Sequence, residues 1–173
     1  VLPLYRCVKP DVRNTLTYLT DITVDVAWRK QYCGIYTKKV GNVQYYLLDN
    51  PYYFMRDGMY GFYDDCERFV FFSRAVLEIL PVIGFHPDII HCNDWQTALV
   101  PVYLNLFYRG EKKFRDLKTV LTIHNIQYQG KYGMEMVQDV LGLPQSATPI
   151  VEYDGCVNYM KGGIDQCNMI TTV

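Results

Sequence analysis

The sequence predicts an α/β fold built on a parallel sheet, with an antiparallel excursion near its start. Three observations carry this reading. Residues 1–49 hold β-branched and aromatic runs separated by turn signals, and two short apolar runs (PDIIH and KTVLTIH) follow later. Segments with helical spacing lie between and after those two runs. Strand–helix–strand–helix–strand order at these lengths fits a parallel sheet with right-handed crossovers. The chain has 173 residues, half of them apolar, which is one-domain size with ample core.

In chain order, VLPLY (Val1 to Tyr5) reads as a short strand. VDVAW, QYCGIYTKKV and VQYYLLD read as an antiparallel meander, with turns expected at Arg29–Lys30 and Gly41–Asn42. Asn50 to Tyr63, rich in Tyr, Gly and Asp, reads as a long loop, either a packed lid or the lining of a sugar site. From Glu67 onward, Phe69, Phe72, Val76, Ile79 and Leu80 recur at helical spacing, with Arg74 and Glu78 off that stripe. Pro81 and Gly84 are expected to stop that helix. PDIIH reads as a buried parallel strand. Trp95, Leu99, Val102 and Leu106 define a helix face ending near Gly110. KTVLTIH is a second buried strand, and a Gln/Tyr/Gly loop follows it. Helical stretches are expected near Met134 to Leu141 and Tyr153 to Ile164, then a last strand, NMITTV. No repeat, low-complexity tract or linker divides the chain.

Composition narrows the function classes. Seventeen basic against 18 acidic residues give a net charge of −1, so no long-range field attracts a phosphate backbone and a nucleic-acid partner is not expected. No apolar run approaches the ~20 residues of a membrane span. The opening VLPLYRCVKP has no signal-peptide features and no Met, which reads as a fragment. The six cysteines show no C-x-x-C pair and the three histidines never fall at i, i+4, so no metal site is expected. Reduced, mostly buried thiols in a cytoplasmic protein fit this pattern.

Ligands of an open parallel sheet bind beyond the carboxyl ends of its strands. PDII runs into His91-Cys92-Asn93-Asp94 and TVLTI into His124-Asn125, so topology brings both clusters to one crevice. His91 reads as a ligand-facing group or as a satisfied core histidine. Asn93 or Asp94 also reads as a helix N-cap, with Gln96 completing a capping box. Asp64-Asp65-Cys66-Glu67-Arg68 reads as acidic residues favouring the positive end of a helix dipole, or as sugar-hydroxyl acceptors. Lys161-Gly162-Gly163 lacks a full phosphate-loop pattern, and neither G-x-G-x-x-G after a strand nor G-x-S-x-G occurs.

Four motifs carry a resemblance. HCNDWQTALVPVYL (His91 to Leu104) closely resembles the H-x-[NH]-D-W-[HQ]-[TA]-[GA]-L segment of bacterial glycogen synthases and plant starch synthases. TIHNIQYQGKYG (Thr122 to Gly133) is similar to that family's T-[IV]-H-N-[LI]-x-Y-Q-G loop. YGFYDDCERFVFFSRAVLE (Tyr60 to Glu78) and NYMKGGIDQCNMITTV (Asn158 to Val173) resemble two further segments, in the family's order.

The resemblance implies one half of a GT-B glycosyltransferase, whose two Rossmann-like domains face a deep cleft. Residues 1–173 would then be part of the N-terminal, acceptor-side domain, with the second, nucleotide-binding domain absent. It implies retaining transfer of glucose from ADP-glucose to the non-reducing end of an α-1,4-glucan, without a cofactor or metal, and an inactive isolated fragment. By motif, His91 and Asp64 are the catalytic residues, beside the transferred glucose and the donor sugar. Asn125, Tyr128, Gln129 and Gly130 bind substrate, and Asp94 and Trp95 support the His91 turn. Asp65 and Asn168 depart from the family pattern, where Asn and Asp are usual. A carbohydrate-binding or regulatory module and another GT-B glycosyltransferase are the alternatives.

Overall fold

The computed structural model describes residues 1–173. β1 (Leu2–Pro3) and α1 (Pro10–Arg13) precede the long strands β2 (Thr17–Val26), β3 (Arg29–Val40) and β4 (Val43–Asp49). After α2 (Pro51–Phe54) comes the longest helix, α3 (Asp65–Val82), and then β5 (Ile89–Asn93). A 3₁₀ turn (Trp95–Thr97), α4 (Leu99–Tyr103) and a π turn (Leu104–Tyr108) form one continuous rod that leads to β6 (Lys118–Ile123). The last third holds β7 (Lys131–Tyr132), α5 (Met136–Asp139), α6 (Thr148–Val151), β8 (Glu152–Tyr153), β9 (Cys156–Asn158), α7 (Tyr159–Gln166) and β10 (Met169–Thr172).

The strands form three sheets. The meander runs β1-β4-β3-β2, with β1 parallel to β4 and the rest antiparallel. The parallel sheet runs β10-β6-β5, and β7-β9-β8 make a small antiparallel sheet. The α/β class with an antiparallel excursion is therefore observed, but several local expectations are corrected. The first hairpin turns at Ala27–Trp28 rather than Arg29–Lys30, because Ala27 takes the left-handed φ of +52° and Arg29 already pairs with Val26. The Asn50–Tyr63 loop contains one helical turn, capped by the Asn50 side chain, which accepts the Tyr53 N–H at 3.0 Å. Pro81 does not stop α3. It sits in the last turn, and Gly84 at φ +64° ends the helix. Tyr153 to Ile164 is not one helix: Asp154 and Gly155, both at positive φ, turn β8 into β9 before α7 begins.

α3 is buried on nearly every side rather than along one stripe, since it packs beneath the meander and against the α4 rod. Only Arg74 and Glu78 among its central residues reach the surface. The six cysteines are free thiols, and burial pushes Cys33, Cys66 and Cys92 up to about 12, far from reactive thiolates. No helix is long and apolar enough to cross a membrane.

β5 is not buried on both sides as expected. It ends its sheet, and Ile89 is 57% exposed. β1 likewise ends the meander. A groove of about 560 Å³ lies between these two edges, lined by Val1 and Val43, by Phe72, Val76 and Leu80 of α3, and by Ile89 and His91.

Candidate functional site

The carboxyl ends of β5 and β6 are in parallel register, with Asn93 opposite Thr122. The Asp94 N–H extends that ladder to the Thr122 carbonyl at 2.9 Å. Asp94 then adopts φ +56° with ψ −175°, a strained region that residues other than Gly rarely enter. This turns its carboxylate away from the following 3₁₀ turn and across to β6, where Oδ1 accepts the His124 N–H at 2.7 Å. Asp94 is therefore not an N-cap. Thr97 serves the turn instead, its hydroxyl accepting the Asn93 N–H at 2.7 Å and donating to the Asn93 carbonyl at 2.8 Å. His124 Nε2 stands 3.0 Å from Asn93 Oδ1, so the two strand ends are tied by side chains as well as backbone.

Beside this junction is a polar cavity of about 160 Å³ lined by Tyr60, Asp94, Trp95, Gln96, Asn125 and Tyr128. Trp95 is its buried wall, edge-on to Phe69 at 5.0 Å and tilted against Tyr159 and Tyr132. Asn125 Oδ1 accepts the Gln127 N–H at 3.0 Å, which leaves the Asn125 amide donors free. Tyr60 and Tyr128 stand 57% and 58% exposed, two aromatic rings able to flank a sugar. The lining carries hydroxyls, amides, a carboxylate and an indole but no Lys or Arg. Such a surface hydrogen-bonds hydroxyl groups; it does not neutralise a diphosphate.

The residues singled out from the sequence separate into three groups. Asn125 and Tyr128 line the cavity, as do Asp94 and Trp95, which were expected only as supports. Gln129 and Gly130 brace the loop from behind. Gln129 Oε1 accepts the Asn158 Nδ2–H at 2.7 Å, and Gly130, at φ +66°, lies where a Cβ would stand 2.6 Å from Trp95. His91 and Asp64 stand outside the cavity lining. His91 is two residues short of the end of β5, with Nε2 2.6 Å from Thr122 Oγ1, which in turn bonds Thr171 Oγ1 at 2.6 Å. Its ring faces the apolar groove. Asp64 is gripped by Arg56 through both carboxylate oxygens, at 2.6 and 2.7 Å.

Its neighbour Asp65 is sealed deeper. One oxygen pairs with the buried Arg68 guanidinium, and the other accepts the Gly61 and Phe62 N–H groups at 2.6 and 3.1 Å. Arg68 also donates to the Tyr53 carbonyl at 2.8 Å and the Met59 carbonyl at 3.2 Å. The whole network fixes the loop that presents Tyr60. His124, Tyr60 and Arg56 are the residues that sequence reasoning missed as individuals. The strand-end rule that drew attention to His91 applies with more force to His124, which directly follows its strand.

Comparison with known proteins gives one answer. The family model for the starch synthase catalytic domain matches residues 1–173. The glycogen synthase of Desulforamulus reducens is 44% identical over 175 residues, covering all of this chain and 36% of that protein. That of Alkaliphilus metalliredigens is 46% identical, covering all of this chain and 37% of its own length. The catalytic domain of starch synthase IV from Arabidopsis thaliana, solved bound to ADP and acarbose, superposes with a TM-score of 0.85 at 31% identity. The match covers 99% of this chain and 37% of that one. The chain thus spans little more than a third of the length of the curated relatives it matches.

Proposed function

This chain belongs to the starch synthase catalytic domain family, and we propose from that premise that it forms part of the N-terminal, acceptor-side wall of a retaining glucosyltransferase. The reaction is transfer of glucose from ADP-glucose to the non-reducing end of an α-1,4-glucan. A second, nucleotide-binding domain outside residues 1–173 completes the cleft. The observation that carries the reading is the cation-free polar cavity at the strand ends, shaped for hydroxyl groups and flanked by two tyrosines. The ADP held by the Arabidopsis starch synthase supports the adenine nucleotide as donor.

In this reading the protein's own groups position sugar rather than carry phosphate. Asn125 and Asp94 hydrogen-bond hydroxyls of the transferred glucose, and Trp95, Tyr60 and Tyr128 shape the walls. His124, held through its backbone by Asp94 and at Nε2 by Asn93, offers its second ring nitrogen to the sugar. A hydrogen bond preset for the transition state and tightened there accelerates transfer without moving any protein group. The departing diphosphate needs positive charge that this lining lacks, so the second domain supplies it. The family motif points to His91 as the imidazole beside the glucose; His124, at the neighbouring strand end and likewise outside the cavity lining, is the second candidate. Asp64 acts through Arg56, holding the Tyr60 loop against the cavity. The free thiols support a cytoplasmic enzyme.

The test is elongation of a maltooligosaccharide by the full-length protein, with ADP-glucose and UDP-glucose in parallel. Faster incorporation from ADP-glucose, with the product's new linkage in the α configuration, is the expected result. Glucan binding without incorporation from either donor would instead identify a carbohydrate-binding module.

A further inference from the structure

The hairpin between β2 and β3 ends in a cluster of contacts away from the sugar cavity. Trp28, at its tip, is 72% exposed, and the Arg29 guanidinium stacks on its ring at 4.3 Å. That guanidinium also joins two segments distant in sequence. Its Nε stands 3.3 Å from Glu67 Oε2 in the first turn of α3, and its Nη2 stands 3.0 Å from Asp139 Oδ2 at the end of α5. Nη1 donates to the Asp139 carbonyl at 2.5 Å, and Trp28 Nε1 donates to Asp139 Oδ1 at 2.9 Å. The buried Tyr53 hydroxyl donates to the other Glu67 oxygen. Beside these polar contacts the backbones themselves meet. Ala27 and Gly142, both at positive φ, approach so closely that a Cβ on Gly142 would stand 3.1 Å from the Ala27 Cα.

An isolated surface ion pair contributes little, but here one mostly buried guanidinium serves two carboxylates, a carbonyl and a ring at once. The hydrogen bonds from Trp28 and Arg29 hold the Asp139 carboxyl below the usual carboxylate range, so it stays ionised at neutral pH. Each end of this clamp leads to one flank of the sugar cavity. Glu67 is followed by Arg68, which binds the Met59 carbonyl next to Tyr60, and by Phe69, which lies edge-on to Trp95. Asp139 ends the stretch that carries Tyr128 and then Tyr132, whose ring lies 6.4 Å from that of Trp95. We propose that Arg29 is a positioning residue for the sugar cavity: by clamping the start of α3 to the end of α5, it sets the spacing of Tyr60 and Tyr128 about Trp95. Arg29 itself touches no sugar. The proposal rests on the glucosyltransferase reading above and adds to it a remote determinant of how tightly the glucan is held. Without the clamp the two flanks part, which weakens ground state and transition state alike, so KM rises while kcat is kept.

The experiment uses the full-length enzyme labelled with 5-fluorotryptophan, as wild type and as Arg29→Met, Arg29→Lys and Asp139→Ala. Fluorine NMR without substrate reads the Trp95 ring, its signal assigned with Trp95→Phe, and elongation of a maltooligosaccharide gives kcat and KM. Arg29→Met and Asp139→Ala are each expected to shift the Trp95 resonance. Each is also expected to raise KM about three- to tenfold, the worth of one net hydrogen bond to the sugar, with kcat within about twofold. Arg29→Lys keeps the charge but cannot fork between two carboxylates, so it is expected to recover only part of both effects. A Trp95 resonance unmoved in both Arg29→Met and Asp139→Ala overturns the proposal. So does a shifted resonance with wild-type KM, or a melting temperature that falls while resonance and KM stay those of the wild type. A wild-type enzyme that elongates no glucan removes the synthase reading, whereas a Trp95 shift in its variants still upholds the clamp.

Discussion

At the start of α3 every charged group has a partner inside the protein, while at the ends of β5 and β6 the polar groups hold one another and still face outward. Asp65 and Arg68 are enclosed by backbone carbonyls, N–H groups and the rings of Phe54, Phe62 and Phe69. Asn93, His124 and Asn125 are exposed and retain unused donors or acceptors. Both regions are dense in polar and ionisable side chains, yet only the second has hydrogen-bonding capacity left for a ligand. A polar cluster is a candidate site in proportion to what its own neighbours leave unsatisfied. By that measure the second cluster is the better candidate for a ligand-binding surface.

Four substitutions sharpen this contrast. Arg68→Met removes the cation from a sealed pair and strands the Asp65 carboxylate in the core. The expected cost is about 3–5 kcal/mol of stability, read by denaturant unfolding of the full-length enzyme. A loss below 1 kcal/mol would mean that water reaches the cluster, and the contrast would collapse. His124→Ala is expected to lower kcat about 10²- to 10³-fold while costing no more than about 1 kcal/mol of stability, the loss of its contact with Asn93. His91→Ala, which breaks only the bond to Thr122, is expected to cost about 1 kcal/mol of stability and little kcat. The reverse ranking would return the catalytic imidazole to His91. Gly130→Ala probes the brace behind the cavity: a left-handed φ and a Cβ against Trp95 are expected to cost about 1–3 kcal/mol and raise KM for the glucan. An Ala variant as stable as wild type would show that the loop is free to shift.

Much of the architecture was legible because its signals are periodic. The meander and the α3 core spacing follow from strand composition and helical recurrence, and the β5 and β6 strands from short apolar runs between turn signals. What escaped depends on single torsions and on length. Ala27 turns the hairpin at positive φ without the Gly or Asn that normally announces such a turn. β7, β8 and β9 have two or three residues each, too few for any period to register. Within the site, the residue types and their convergence were readable, since strand ends meet by topology. The division of labour was not. Whether Asp94 caps its own turn or reaches to His124 rests on one φ angle, and whether Asp64 is free rests on Arg56, eight residues upstream in a loop without pattern.

The two unpaired strand edges also govern how residues 1–173 behave as a polypeptide by themselves. β5 presents unmatched N–H and C=O groups along its outer side next to exposed Ile89, and no charged side chain blunts that edge, whereas β1 is only two residues long and one of them is Pro3. Edges of this kind recruit one another, so the excised piece is expected to self-associate through strand addition and to precipitate as its concentration rises.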